Sequence, residues 1–154
     1  MEWFTINWTG PYPINNAQKK MEALGFGVYA IYKMTGKKAE LLYIGETYRQ
    51  SFGVRLQQHK HKWLDPTNGR MVIHFGTVQL PSGKRISDKR IFDIEKLLIH
   101  LYPTKKNKTG THGYSGRDIM IFNLGKIGTL RPLNGPKELL YLLSETVPKL
   151  KKKR

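Results

Sequence analysis

Between Gly27 and Gly45 the chain carries two runs of β-branched, aromatic and aliphatic residues. Gly27-Val28-Tyr29-Ala30-Ile31-Tyr32-Lys33-Met34 and Leu41-Leu42-Tyr43-Ile44-Gly45 flank a short connection that holds Thr35-Gly36-Lys37-Lys38, a pattern that predicts a β-hairpin. Alternation sets Tyr29, Ile31 and Lys33 on one face and Val28, Ala30, Tyr32 and Met34 on the other, with Tyr43 opposite to Leu42 and Ile44. Met71 to Val78 reads as a third strand after a turn at Asn68-Gly69, and Ile119 to Leu124 as a later one.

Helical spacing follows the hairpin. Ser51 is placed to cap a helix from Phe52 to about Leu64, stopped by Asp65-Pro66, with Phe52, Leu56 and Trp63 on its buried side. Arg55 and His59, four residues apart, share a neighbouring stripe. Ser87-Asp88 starts a second helix that ends at Tyr102-Pro103. On it Lys89, Asp93, Lys96 and His100 form an expected solvated face. Glu95 instead has Ile91 and Phe92 a turn before it and Leu98 and Ile99 a turn after. A carboxylate in an apolar stripe costs several kcal/mol unless a partner or a metal meets it, so a positive group is expected to face Glu95.

The ends are read as additions to this centre. Trp3, Phe4, Trp8 and Tyr12 make residues 1–12 too aromatic for a solvated tail; an edge strand is expected there, ended by Pro11 and Pro13. Asn16 is the expected N-cap of a short helix through Leu24, with Gly25 as its stop. A basic loop runs from Thr104 to Arg117. A final helix, Lys137 to Ser144, carries Leu139, Leu140, Leu142 and Leu143, and a basic tail occupies 149–154. With no repeat and no long linker, one domain over 1–154 is expected: a core at about 26–107, an N-terminal part at 1–25, a C-terminal part at 108–148 and the tail.

Charge changes the picture most. Twenty-seven Lys and Arg stand against 11 Asp and Glu, a net +16 at pH 7. Such an excess favours a polyanion, since each contacted phosphate releases condensed counterions. Anionic membranes share that property, but no run approaches the roughly 18 apolar residues of a spanning helix and no N-terminal stretch resembles a secretory signal. Nucleic acid is therefore the expected partner, without a membrane and without a small-molecule cofactor. The absence of cysteine excludes disulfides and thiolate zinc sites and is compatible with a reducing cytoplasm.

Gly27-Val28-Tyr29 and Tyr43-Ile44-Gly45 together resemble the paired tripeptides of the GIY-YIG nuclease family. The later landmarks of that family follow in order. A helix bears Arg55 and His59, a second helix bears Glu95, and Asn107 lies beyond Pro103. Val28 replaces the usual Ile, and the step from Pro103 to Asn107 is one residue longer than in the family's repair nucleases. The resemblance covers residues 27–107. It implies an α/β (α+β) fold with a small, mainly antiparallel, three-stranded central sheet flanked by helices. It also implies a metal-dependent DNA endonuclease that uses one Mg²⁺ or Mn²⁺ per site.

Phosphodiester hydrolysis needs a nucleophilic water, neutralisation of phosphate charge and protonation of the leaving oxygen. The resemblance assigns the metal to Glu95, whose hard oxygen donors suit Mg²⁺. Arg55 can bind a phosphate in bidentate fashion. Tyr29 would work near the attacking water, as general base with His59 or a metal water assisting, Tyr43 would position water or phosphate, and Asn107 would hold the site by hydrogen bonds. A phenol with a pKa near 10 needs cationic surroundings for the base role. Arg49, Lys60, Lys62, Lys105, Lys106 and Lys108 are candidates for phosphate contacts that give affinity without sequence choice. Plainer readings stand beside these: packing tyrosines, a solvated Arg/His stripe, a core Glu95 paired with an arginine, Asn107 as a loop residue. The alternatives in function are a non-catalytic nucleic-acid-binding module on the same fold and an RNA-directed nuclease. Restriction, repair and mobile-element roles all occur in the family, and both monomer and dimer are open.

Overall fold

The computed structural model of the chain describes residues 1–64, 70–81, 83–108 and 113–136. The expected turn at Asn68-Gly69, the stop at Asp65-Pro66, the helix at 137–144 and the basic tail lie outside the described residues.

Six strands, β1 (Glu2–Pro13), β2 (Gly27–Thr35), β3 (Lys38–Thr47), β4 (Arg70–Gln79), β5 (Ile119–Gly125) and β6 (Leu133–Asn134), form one mixed sheet in the order β3-β2-β4-β1-β5-β6. Two helices pack on it, α1 (Phe52–Lys62) and α2 (Asp88–Leu101). The class is α+β. The expected three-stranded sheet is only its antiparallel half, β3-β2-β4; β1 extends it antiparallel to β4 and brings β5 in parallel.

The largest correction concerns β1. It is not an edge strand but an inner one, between β4 and β5. Phe4, Ile6 and Trp8 alternate into the core, which explains the aromatic load of this segment. The strand ends at Pro13 as expected, but Pro11 does not end the ladder. The pairing with β4 shifts register between Thr9 and Tyr12 and resumes at Tyr12↔Ile73, so the irregularity absorbs the missing N–H. The expected helix after Asn16 is instead two 3-10 turns, Ala17–Lys19 and Met21–Leu24, and the Asn16 side chain makes no capping bond. Gly25 has φ −77°, so it does not stop a helix in the left-handed manner.

Both main helices begin where expected. Ser51 Oγ accepts from Val54 N and Ser87 Oγ from Arg90 N, each at 3.3 Å. β2 is buried on both faces. Val28, Ala30 and Tyr32 join the core under α2, whereas Tyr29 and Ile31 join a second core with Phe52, Leu56 and Phe75 under α1. The face of α2 differs from expectation. Phe92 is exposed, with Lys96 Nζ 4.5 Å from its ring centroid, and Asp93 is buried. Arg117 compensates that charge: its Nε is 2.9 Å from Asp93 and its Nη1 3.0 Å from Glu2, which also pairs with Arg90 at 2.8 Å. The network ties α2 to the start of β1.

Gly76 of β4 illustrates the packing limit. A Cβ there would stand 2.7 Å from Ile6 Cγ2 and 3.0 Å from the Trp8 ring. Gly76→Ala should therefore lower stability by about 1–3 kcal/mol, the usual cost of overpacking, measured as a shifted denaturant midpoint at unchanged m-value.

Candidate active site

The two glycines of the hairpin motif have distinct physical tasks. Gly27 sits at φ +152°, and a Cβ on it would collide with the Gly76 carbonyl oxygen, so only glycine permits this approach of β2 to β4. Gly45, opposite Tyr29 in the register, has the Tyr29 phenol where its Cβ would be. The tip of the ring fills the space over the glycine, and that fixes the phenol oxygen.

Around this oxygen the structure gathers most of the expected residues. Tyr29 Oη is 2.5 Å from His59 Nε2, and His59 Nδ1 is 2.9 Å from Trp63 Nε1. Tyr43 packs against this group, its ring centroid 4.9 Å from His59 and 6.0 Å from Tyr29. His59 and Tyr29 are buried, and Tyr43 is half-buried. Burial pushes the Tyr29 phenol well above its ordinary pKa; Tyr43 adds to this and Arg55 opposes it. His59 is pushed down to about 4, by burial first and then by the charges of Arg55 and Lys62, so the imidazole is neutral at neutral pH.

Arg55 links this group to the carboxylates. Its Nη1 donates to Gln58 Oε1 at 2.9 Å, while its Nε is buried without a partner among the described residues. The guanidinium acts electrostatically on Tyr29 and Tyr43 and also on Glu46 and Glu95. It lines a groove of about 410 Å³ with Glu46, Thr47, Tyr48, Arg49, Gln50 and Asp88. Glu95 is half-buried, and burial, followed by the neighbouring Glu46, raises its pKa to about 7 against the pull of Arg55 and Lys96. Glu46 is also raised, by burial first; Asp88 adds to the shift and Arg55 counters it. The expected positive neighbour of Glu95 is thus Arg55, at a distance. Among the described residues neither Glu95 nor Glu46 has an ion-pair partner.

Uncompensated carboxylates with hard oxygen donors fit a divalent ion such as Mg²⁺, which keeps several waters and needs few protein ligands. Among the described residues no group of three or more His, Cys, Asp or Glu side chains could enclose a metal, so any ion held here would be largely hydrated. Glu46 was not singled out from the sequence. It directly follows Gly45, and its place at the end of β3 is the signal that could have found it.

Asn107 serves as a plug for the edge of the sheet. Its Nδ2 donates to Ile44 O at 2.8 Å, and its Oδ1 accepts from Ile44 N at 3.0 Å and from Thr104 Oγ1 at 2.6 Å. It therefore satisfies both free backbone groups of Ile44 on edge strand β3, between Tyr43 and Gly45.

The basic candidates scatter. Arg49 pairs loosely with Asp88 at 3.6 Å, both exposed. Lys60 Nζ donates to Gln18 Oε1 at 3.2 Å. Lys106 Nζ lies 5.5 Å from the centroid of the Trp63 ring, next to the histidine. Lys62, Lys105 and Lys108 are exposed. His100 is exposed, while His74 is buried, its Nδ1 2.7 Å from the carbonyl of Lys126, a structural contact. His112 lies outside the described residues. No helix among the described residues is long and apolar enough to cross a membrane.

Comparison of the chain with family models, curated proteins and solved structures gave no match to any of them.

Two outcomes follow from this geometry. Asn107→Ala strands two backbone groups of Ile44 and should cost about 1–3 kcal/mol in urea unfolding, whereas a plain loop asparagine would cost close to nothing. Glu95, with a folded pKa near 7 against an ordinary 4.5, binds its proton more tightly folded than unfolded. Its burial therefore destabilises the metal-free protein progressively as pH rises from 4.5 to 7, by at most on the order of 3 kcal/mol. Glu95→Gln should accordingly raise Tm at pH 8 in the presence of chelator and leave it nearly unchanged at pH 4.

Proposed function

We propose that the protein is a metal-dependent endonuclease of GIY-YIG type that hydrolyses DNA phosphodiester bonds. The observation that carries this reading is the convergence on Arg55 of two chemically distinct sets. One is the hydrogen-bonded pair Tyr29 and His59 with Tyr43 packed against it; the other is the uncompensated pair Glu46 and Glu95. Tyr29 packs in the core under α1, Glu95 stands on α2 over the other face of the sheet, and the Arg55 charge acts on both. The net charge of +16 supplies the attraction for a polyanion.

In this reading Arg55 binds a non-bridging oxygen of the scissile phosphate and neutralises charge that grows as water attacks phosphorus. Tyr29 and Tyr43 orient the water and the phosphate from the side of the buried histidine. Because burial holds Tyr29 neutral, its base role depends on added positive charge, of which Arg55 supplies one part. Glu95 would hold the divalent ion with Glu46 close by, and the ion would supply Lewis-acid stabilisation of the leaving oxygen. Asn107 acts at one remove by fixing the backbone between Tyr43 and Gly45. Exposed Lys62, Lys105 and Lys108 would track the phosphate backbone beyond the scissile bond.

The second reading, a binding module without catalysis, is favoured only by the high pKa of Tyr29, which makes the phenol a poor base in the free protein. Plasmid incubation with and without Mg²⁺ or Mn²⁺ separates the two. The endonuclease reading predicts metal-dependent cleavage that Glu95→Ala abolishes, at least 10³-fold by the scale of lost transition-state stabilisation, with an unchanged circular dichroism spectrum. Cleavage retained by Glu95→Ala would remove the metal assignment. Salt-sensitive band shifts without any product would establish the binding module, and a parallel RNA substrate would reveal an RNA-directed enzyme.

A further inference from the structure

Helical spacing places Trp63 among the packing residues of α1, and the nuclease chemistry proposed above uses no atom of it. Its geometry gives it a role. Trp63 stands at the C-terminus of α1, its backbone N–H bonded to His59 O, four residues after the histidine on the same side of the helix. Its indole Nε1 is 2.9 Å from His59 Nδ1. An indole nitrogen only donates, so Nδ1 must accept and carries no proton. A ring turned by 180° would present carbons to both Trp63 and Tyr29 and lose both contacts, so the orientation of the imidazole is settled by its two partners.

The remaining question is how many protons the imidazole holds. A second proton would sit on Nδ1, against the indole N–H. Burial and the charges of Arg55 and Lys62 on the same helix oppose it as well; the other groups facing the ring are Tyr29 from β2 and Tyr43 from β3, and Lys106 Nζ stands 5.5 Å from the indole centroid. None of these groups is an anion at neutral pH. One proton therefore remains, and it lies on Nε2, facing Tyr29 Oη.

We propose that Trp63 is a positioning residue that fixes His59 as its Nε2–H tautomer, so that His59 donates to the Tyr29 oxygen instead of accepting its proton. The inference rests on the endonuclease reading for its consequence, though not for its geometry. The bonds then run in one direction, from Trp63 N–H to His59 and from His59 N–H to Tyr29, which leaves the Tyr29 O–H directed away from the histidine. When Tyr29 gives up its proton, the phenolate is held by the His59 N–H and the Arg55 charge. A proton later taken from the attacking water bonds to Tyr29 oxygen and leaves on the side away from His59. It cannot pass inward, since Nε2 is already protonated and Nδ1 has no proton to release. His59 thus acts as a hydrogen-bond donor to the phenol and not as the terminal base.

The direct test is a long-range proton–nitrogen correlation spectrum of the full chain with ¹⁵N-histidine at neutral pH, free of metal and DNA. His59→Gln identifies the His59 signals among the five histidines by their loss. A protonated Nε2 with a bare Nδ1 is expected in the native protein, and a mixture of tautomers in Trp63→Phe, which keeps an aromatic ring and removes the N–H. A native Nδ1–H tautomer, or an unchanged tautomer in a folded Trp63→Phe, overturns the inference. If Trp63→Phe does not fold, the native spectrum alone decides. Cleavage adds a readout that mere packing would not move. The glutamine amide can still donate to Tyr29, so His59→Gln should stay within roughly tenfold of native activity and His59→Ala should fall at least about tenfold further. Equal loss in both variants would make His59 the proton acceptor and refute the inference. A native protein with the expected tautomer that cuts nothing would refute the nuclease reading alone.

Discussion

The burial of β2 on both faces is the constraint on which the rest depends. A strand with Val28, Ala30 and Tyr32 under one helix and Tyr29 and Ile31 under the other cannot slip by one residue without exchanging two cores. That locked register places Tyr29 opposite Gly45, and the missing side chain there lets the ring lie across the backbone. Gly27 allows the same strand to crowd Gly76 of β4. The phenol oxygen is therefore positioned by the packing of the whole sheet and not by a flexible loop.

Polar groups around it are arranged at different distances from water, which divides their chemistry. His59 and Tyr29 are buried and neutral; Arg55 is half-buried and charged; Glu46 and Glu95 are pushed toward neutrality by burial first, Glu46 then by Asp88 and Glu95 by Glu46. Two carboxyl groups held so in a protein of net +16 are a local exception to its charge. Surface lysines give long-range attraction for a polyanion, while this short-range acidic spot is suited to a divalent ion. An all-basic groove would bind nucleic acid but would hold no metal against it.

Much of this was legible in the sequence, for identifiable reasons. The hairpin and the serine caps of α1 and α2 depend on local spacing, which sequence carries directly, whereas the grouping of Tyr29, Arg55, His59 and Glu95 came from the resemblance to the motifs of the GIY-YIG family. What could not be read depends on distant pairing. Nothing local marks β1 as an inner strand, because its neighbours β4 and β5 lie roughly 70 and 115 residues away in the pairing of Ile6 and Thr5 with Val78 and Phe122. Asp93 looks solvated until Arg117 and Glu2 are brought beside it. Likewise Phe92 looks buried by periodicity, but the rotation of α2 set by that ion network leaves it outside. Glu46 escaped because a carboxylate at a strand end is ordinary until a second one stands near it, and Asn107 showed its purpose only once Ile44 was seen on an edge strand.

The most direct measurement of the central claim is a crystal structure of the protein with Mn²⁺ and a short DNA duplex, with manganese located by its anomalous scattering. The account predicts one manganese peak at the Glu95 carboxylate and a backbone phosphate in contact with Arg55, on the Tyr29 side of the groove. Manganese bound elsewhere, or DNA lying across another face while the Arg55 groove stays empty, would contradict it.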